Sequence, residues 1–292
     1  MSPLHLLLAL GVALIWGVNF VVIAWGLTEL PPLLMAALRF AFAALPAFFL
    51  PRPNLSWPTM IGIAAALFVG HYAFLYPAMA VGMPPGLASI ALQVQAFFTI
   101  AIAAVLLGER PGPRRIAGSG IAFLGLVLIA TTVGGDVTVA GFALTMAAAA
   151  SWGTGNVLLR RAGSVDMLAT ITWLSLIPPL PLLAMSLAIE GPTLVATSLA
   201  GIGWVGIGAL LYMAFLSTTF GFGVWGHLLK LYPAATVAPF SLLVPVFGMS
   251  SAALLVGETF SWTRLAGGAL ILIGLAFVAL RRRAPAVAVD GA

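Results

Sequence analysis

The sequence predicts an all-α integral membrane protein with ten transmembrane helices, arranged as two inverted repeats of five helices. Three observations carry this prediction. The composition contains few charges, ten apolar runs are long enough to cross a bilayer, and a pattern from the first half recurs in the second. The first two observations exclude a soluble fold, and the third defines how the helices are arranged.

The composition is that of a membrane protein. Charged residues make up 7% and apolar residues 62% of the 292 residues. Soluble domains average about 25% charged and about 45–50% apolar residues, and disordered chains are still poorer in apolar residues. Cysteine is absent, which excludes disulfides, thiolate metal sites and iron–sulfur clusters. We expect no metal and no cofactor.

Ten apolar runs meet the length of about 20 residues that a membrane-spanning helix needs. Short segments rich in proline, glycine and charge separate them, and none of these could hold a soluble domain. The first run lacks the preceding Lys or Arg of a cleavable signal peptide and is therefore a first transmembrane helix. The predicted spans, numbered 1 to 10, are residues 4–27, 33–50, 59–80, 84–107, 115–133, 139–159, 166–188, 202–228, 234–256 and 262–280.

The second half of the chain repeats the first. Leu107-Gly108-Glu109 recurs as Val256-Gly257-Glu258, an offset of 149 residues. Four further pairs share this offset: Pro84 with Pro233, Arg115 with Arg264, Gly118 with Gly267 and Gly125 with Gly274. Earlier in each half, Trp16-Gly17 followed by Asn19 is echoed by Trp152-Gly153 followed by Asn156, with an offset of 136 between the tryptophans.

A unit of five spans is odd, so its two copies must lie in opposite senses in the membrane. We predict repeats over residues 1–133 and 134–283 and a cytosolic tail over 284–292. Inverted repeats are typical of alternating-access carriers, whose substrate site lies near the midplane between the halves. A duplicated channel is the alternative.

The basic residues predict the orientation, because Lys and Arg concentrate on the cytosolic side. Arg264 falls on one side of the membrane, and Arg39 lies inside span 2. The other side holds Arg52, Arg110, Arg114, Arg115, Arg160, Arg161, Lys230, Arg281, Arg282 and Arg283. We therefore expect a multi-pass protein of the cell inner (plasma) membrane with both termini in the cytoplasm. Because these residues lie singly or in short clusters between apolar blocks, no nucleic-acid partner is expected.

Four stretches resemble a known family. Trp16-Gly17-Val18-Asn19, Leu38-Arg39-Phe40, Gly108-Glu109 and Gly257-Glu258 are similar to the EamA branch of the drug/metabolite transporter superfamily. The resemblance covers about residues 4–281. It implies export of amino acids or other small metabolites, and within the branch it is strongest to aromatic amino-acid exporters.

Polar and aromatic side chains near the middle of the spans mark a candidate substrate site, because such groups are costly in hydrocarbon. Trp16 and Asn19 share one face of span 1, whereas Gln93 and Gln95, two residues apart, should not both face one cavity. The pattern predicts an aromatic-walled cavity for a small solute that is apolar in side chain and polar at one end. The alternative is that these groups join helices by hydrogen bonds of about 0.6–2 kcal/mol each. The candidates are Trp16, Asn19, His71, Tyr72, Gln93, Gln95, Trp152, Asn156, Tyr212 and Ser241.

Four other groups of residues have predicted roles. Tyr76 and Trp225 are equivalent repeat positions, so they either close opposite ends of the pathway or anchor the helices at the membrane interface. Arg39 is a candidate charge site: it snorkels to the outer surface, or bonds a carbonyl or Glu29, or attracts a substrate carboxylate. The repeated glycines should pack helices closely, with Gly62, Gly203 and Gly206 doing likewise. Glu109 and Glu258, which follow glycines at helix ends, should form a cap or a loop hydrogen bond rather than contact the substrate.

These observations favour an amino-acid exporter with alternating access over three other classes. An intramembrane enzyme lacks its signature residues. A proton-coupled drug efflux pump needs a membrane-buried carboxylate, and all seven acids fall at span ends or beyond. A sugar-nucleotide or phosphate carrier needs several buried Lys or Arg. Transport is either facilitated diffusion or coupled to protons through His71, and sodium coupling through backbone carbonyls near Pro239 and Pro245 is a third alternative. The expected partners are the substrate and the lipid bilayer, and the protein should be a monomer or a weak homodimer.

Overall fold

A computed structural model describes residues 1–163 and 165–279. Within these ranges, ten helices are long and apolar enough to cross a membrane, which confirms the predicted spans to within a few residues at their ends. The predicted tail and Arg281, Arg282 and Arg283 lie outside the described residues. The spans are Pro3–Gly26, Pro32–Phe49, Trp57–Ala80, Pro85–Leu107, Pro113–Ala130, Val139–Arg161, Met167–Ile189, Trp204–Leu231, Ala238–Val256 and Trp262–Ala279.

Proline and glycine define many of the helix ends. Pro3, Pro32 and Pro113 occupy the first helical turn, where the missing N–H leaves no bond unmade. Spans 4 and 9 end at Gly108 and Gly257, whose φ angles of 65° and 69° are left-handed. This conformation is the usual glycine stop of a helix, and it is the same in both repeats.

One helix was not predicted. The segment after span 7 was expected to be a connection, but Pro192–Ala200 forms a helix of 9 residues. Gly191, with φ 91°, turns the chain between span 7 and this helix. The segment is part of the extra length that the second repeat carries.

Several spans depart from α-helical geometry at equivalent places in the two repeats. Span 3 contains a π-helix over Ala65–Gly70, and span 8 contains one over Tyr212–Phe220. Spans 4 and 9 contain 3₁₀ turns over Leu92–Val94 and Ala238–Leu242. A mid-helix change of hydrogen-bonding pattern often marks a functional position, and all four segments contribute residues to the cavity described below.

The helix packing has the two-fold character that inverted repeats require. Span 1 packs on span 9 as span 6 packs on span 4, while span 5 packs on span 10 and span 2 on span 7. Gly17 allows the first of these contacts, since an added Cβ would lie 2.6 Å from the Cβ of Phe247. Gly153 allows the equivalent contact, because its Cβ would lie 2.9 Å from that of Phe98.

The repeated glycines join spans 5 and 10 as predicted. A Cβ added at Gly125 would lie 2.5 Å from the carbonyl oxygen of Gly267, and one at Gly118 would lie 2.7 Å from that of Gly274. Close approach of two backbones is what small residues permit in membrane helices. The same prediction is wrong for Gly62, where an added Cβ would meet no atom within 4 Å.

Candidate functional site

A cavity of about 510 Å³ lies at the centre of the helix bundle, where the two repeats meet. It extends past Leu159, Met167 and Ala279 towards the end of the bundle at which the N-terminus lies, here called the N-terminal face. Among the described residues, none that lines the cavity belongs to a helix end at the opposite face. The cavity is therefore open in one direction.

Nine of the ten predicted substrate-binding residues line this cavity, and their binding role remains a prediction. Both repeats contribute, because the Trp-Asn pair of span 1 and the equivalent pair of span 6 face the same cavity. The nine are Trp16, Asn19, His71, Tyr72, Gln93, Gln95, Trp152, Asn156 and Ser241.

Tyr212 is the exception. Its hydroxyl donates a hydrogen bond of 2.8 Å to the carbonyl oxygen of Ile15 and joins span 8 to span 1. The ring lines a separate pocket beside Trp25 and Trp204. Its position therefore fits the structural alternative, a hydrogen bond between helices.

Trp16 is fixed by the π-helix of span 8. Its indole Nε1 donates to the carbonyl oxygen of Ser217 at 2.9 Å. The ring packs against Phe222 and Trp225, with centroids 5.2 and 5.3 Å away. One turn further along span 1, Asn19 is buried, and its Oδ1 has no hydrogen-bond donor among the described residues.

The equivalent pair in span 6 is held differently. Asn156 donates through Nδ2 to the Oε1 of Gln95 at 2.9 Å. Trp152 packs against His71, with ring centroids 4.7 Å apart. The His71 Nδ1 donates to the carbonyl oxygen of Ala148 at 3.0 Å, which fixes the ring on the cavity wall.

Gln93 and Gln95 both line the cavity, contrary to expectation. The expectation assumed a regular α-helix, in which residues two apart point in different directions. The 3₁₀ turn over Leu92–Val94 changes the rotation per residue, so both side chains reach the same space.

Arg39 lies at the end of the cavity away from the N-terminal face, and the prediction that it snorkels to the surface is wrong. Only 2% of its surface is exposed. Nη1 donates to the hydroxyl of Tyr76 at 2.8 Å, and Nη2 donates to the Oγ1 of Thr218 at 3.0 Å. Glu29 does not contact it; its carboxylate accepts bonds from the N–H groups of Gly203 and Gly206.

The two predicted gate residues lie in different surroundings. Tyr76 is completely buried, and besides Arg39 it contacts Met213, to whose sulfur its hydroxyl donates at 3.0 Å. Trp225 lines the open part of the cavity against Trp16. Their gating role remains a prediction.

The opposite face is held together by carboxylates. Glu258 accepts hydrogen bonds from the N–H groups of Gly86 and Leu87 at 2.7 and 3.0 Å, which confirms its predicted capping role. Burial raises the pKa of Glu258, and the two N–H donors oppose that effect. Glu190 binds the start of span 2 in the same way.

Ion pairs occur on both faces. On the opposite face, the hydrogen-bonded Arg264 guanidinium lowers the pKa of Asp136 below its ordinary value. On the N-terminal face, Glu109 does not cap a helix as predicted but pairs with Arg160 at 2.8 Å. Glu109 and Arg160 also line a pocket of about 310 Å³ that shares Gln95 and Asn156 with the central cavity.

Sequence reasoning missed Ser217 and Thr218, which hold Trp16 and Arg39. Ser217 acts through its backbone carbonyl, a group that every residue has. A hydroxyl such as that of Thr218 commonly bonds a carbonyl of its own helix, so neither residue stands out in the sequence. No group of three or more His, Cys, Asp or Glu side chains is placed to hold a metal ion within residues 1–163 and 165–279.

The chain is similar to known membrane transporters. The sequence profile of the EamA-like transporter family matches residues 3–131 and 139–280. Two relatives carry the description "Probable amino-acid metabolite efflux pump". The one from Salmonella typhimurium is 45% identical over 275 residues, and the one from Escherichia coli K12 is 43% identical over 275 residues. Each match covers 92% of both chains.

More distant proteins are also similar to this chain. A "Probable terminal-alkyne amino-acid exporter" of Streptantibioticus cattleyicolor is 28% identical, and the match covers 86% of this chain and 82% of that protein. A solved crystal structure superposes with a TM-score of 0.54 at 19% identity, covering 95% of this chain and 97% of the other. That likeness concerns the fold alone.

Proposed function

The chain belongs to the EamA-like transporter family, and from this membership we propose that it exports amino acids or closely related metabolites. The family and the named relatives indicate a membrane transporter rather than an enzyme. The observation that carries the proposal is the cavity between the repeats, because inverted-repeat carriers bind their substrates near the midplane at that position.

The lining supports a substrate with an aromatic or other apolar side chain. The volume of about 510 Å³ falls within the range of about 300–1,000 Å³ typical of small-molecule sites. Trp16, Trp152 and Tyr72 offer apolar faces, which also attract an α-ammonium by about 0.5–2 kcal/mol. The amides of Asn19 and Gln93 serve either end of an amino acid, since each amide both donates and accepts.

The one-sided opening supports alternating access. We assign the N-terminal face to the cytosol, because seven described Lys and Arg side chains lie in its connections and helix ends against Arg264 on the other face. In this assignment the structure is the conformer that receives substrate from the cytosol. Tyr76 and Trp225 then close the outer and the cytosolic end in turn.

Two other transport classes find less support. A cation-drug pump needs a carboxylate in its pathway, and the described lining of the cavity contains no Asp or Glu. A phosphate or sugar-nucleotide carrier needs several basic groups, whereas Arg39 is the single Lys or Arg among the described lining residues.

Flux measurements in proteoliposomes test the proposal. The panel contains labelled L-phenylalanine, L-leucine, L-lysine and L-aspartate, and protein-free liposomes give the background. We expect counterflow of phenylalanine and leucine well above background, with lysine and aspartate close to it. Background rates for all four amino acids, or a preference for the charged side chains, would contradict the proposal.

A further inference from the structure

Arg39 is a buried cation whose described contacts are all uncharged. Its two terminal nitrogens donate to hydroxyls of Tyr76 and Thr218. The guanidinium carbon lies 4.5 Å from the centroid of the Tyr72 ring. Its Nε is buried and has no hydrogen-bond acceptor among the described residues. These contacts fix the position of the guanidinium but leave its charge unneutralised.

The carboxylates of the described residues are engaged elsewhere. Those of Glu29, Glu190 and Glu258 accept bonds from backbone N–H groups at the opposite face. The remaining three form ion pairs, Glu109 with Arg160, Asp136 with Arg264 and Asp166 with Lys230. Asp290, the seventh acid, lies outside the described residues.

An unneutralised charge at the end of a cavity acts on whatever enters it. Coulomb attraction is several-fold stronger in a low-dielectric interior than in water, and a cavity with low-dielectric walls focuses the field. Arg39 supplies the one formal charge among the Lys, Arg, Asp and Glu side chains in the described lining. Burial of an unpaired cation is costly, and an anion placed near it reduces that cost.

We propose that Arg39 makes a carboxylate an obligatory feature of the substrate. This inference rests on the proposed function, since it takes the cavity as the substrate site. The aromatic wall binds the side chain, and the field of Arg39 favours the end that carries the carboxylate. Because only 2% of the arginine is exposed, selection depends on its charge more than on the shape of the guanidinium.

The first test uses the unaltered protein and needs no substitution. Counterflow of labelled L-phenylalanine is measured against four unlabelled competitors. Two of them keep the carboxylate, 3-phenylpropionate and N-acetyl-L-phenylalanine, and two lack it, phenethylamine and L-phenylalaninamide. We expect the acids to inhibit at concentrations about ten to a hundred times lower than the other two, the range for losing one interaction with a charged group.

The result separates this inference from the proposed function. Equal inhibition by phenethylamine and 3-phenylpropionate, with phenylalanine still transported, would overturn the role of Arg39 and leave amino-acid export standing. Phenylalanine counterflow at the level of protein-free liposomes would overturn both.

The second test uses variants. Arg39→Lys keeps the charge, so we expect it to retain the preference for acids even if its rate falls. Arg39→Gln should reduce the preference to less than about threefold, since only the neutral contacts remain. Arg264→Gln is the matched control, because Arg264 is also buried but pairs with Asp136 outside the cavity. An unchanged preference in Arg39→Gln, or its loss in Arg264→Gln, would contradict the assignment.

Discussion

At the scale of single residues, the tryptophan and asparagine of span 1 are the residues that best test where the substrate site lies. The Trp16 indole is held by the Ser217 carbonyl, so its ring forms a fixed wall of the cavity. Asn19 presents an amide whose Oδ1 has no donor among the described residues. An acceptor without a donor suits a binding site, because a donor group of the substrate can then form a hydrogen bond with it.

Trp16→Ala and Asn19→Ala should therefore each reduce phenylalanine counterflow by roughly tenfold, since one aromatic or polar contact contributes about 1–2 kcal/mol. Expression and the elution volume in detergent should stay unchanged. Trp262→Ala is the matched control, because Trp262 is 86% exposed and lies outside the cavity. Normal flux in both cavity variants would remove span 1 from the site.

His71 is the candidate residue for coupling transport to protons. It packs between Tyr72 and Trp152 and donates to a backbone carbonyl, which is the role of a wall residue. A proton relay in a membrane commonly uses a chain of Asp, Glu or His, and His71 is the only one of these in the described lining. We therefore expect facilitated diffusion, in which His71→Gln retains counterflow and an imposed pH gradient drives no accumulation.

Net uptake with and without the pH gradient checks this expectation. Accumulation that disappears in His71→Gln would place the coupling on this histidine. Accumulation that persists in the variant would require a proton carrier elsewhere.

The candidate residues could be found from sequence because polar side chains in the middle of apolar runs are rare. Their directions could not always be found. Gln93 lies within a 3₁₀ turn and Gln95 directly follows it, so both side chains reach the cavity. Tyr212 points away from it to bond Ile15. The directions of these side chains depend on local hydrogen bonds, which cannot be predicted from residue spacing.

At the scale of helices, the spans follow from length and apolar composition, but their irregular segments do not. The π-helices of spans 3 and 8 lie at equivalent positions, but at the 149-residue offset their sequences share only Ala65 with Ala214 and Leu67 with Leu216. Both segments contribute to the cavity wall, through Leu67 and Phe68 in span 3 and Ser217 in span 8. Hydropathy is the same for an α-helix and a π-helix, so it cannot distinguish them.

The contact between spans 5 and 10 offers a direct test of helix packing. In Gly125→Ala, the new Cβ would lie 2.5 Å from the Gly267 carbonyl oxygen, so the helices must separate. We expect a loss of about 1–3 kcal/mol, the usual cost of overpacking. Gly120→Ala in the same span is the control, because its Cβ would meet no atom within 4 Å, and alanine should leave stability unchanged or raise it by up to about 1 kcal/mol.

Thermal unfolding in detergent measures both variants side by side. A lower midpoint for Gly125→Ala alone is expected. Equal midpoints would show that the two spans move apart without cost and that the glycine contact does not fix them.

At the scale of the whole molecule, the repeats have nearly the same sequence landmarks but different contacts at the two faces. Gly108 and Gly257 end spans 4 and 9 with the same left-handed conformation, and a glutamate follows each. Glu258 caps span 4 at the closed face through Gly86 and Leu87. Glu109, at the open face, pairs with Arg160 and is half-exposed.

This difference predicts what the other conformer looks like. If the repeats exchange conformations, Glu109 should leave Arg160 and cap the short helix Ala234–Val237, which precedes span 9, through the N–H groups of Ala235 and Thr236. These residues are 149 positions after Gly86 and Leu87. In that conformer the N-terminal face would be held by a glutamate cap as the opposite face is held here. Each glutamate would then stabilise a different conformer, Glu258 the one described here and Glu109 the other.

Substitution of Glu258 and substitution of Glu109 should therefore shift the equilibrium between the two conformers in opposite directions. Because the chain lacks cysteine, single cysteines at Ala279 and at its repeat equivalent Ala130 can report on the two faces. Glu258→Ala should slow labelling at position 279 and speed it at 130, and Glu109→Ala should do the reverse. A cap contributes about 1 kcal/mol, so each ratio of rates should change by roughly fivefold. Changes in the same direction in both variants would contradict the exchange, because a shared loss of stability affects both faces alike.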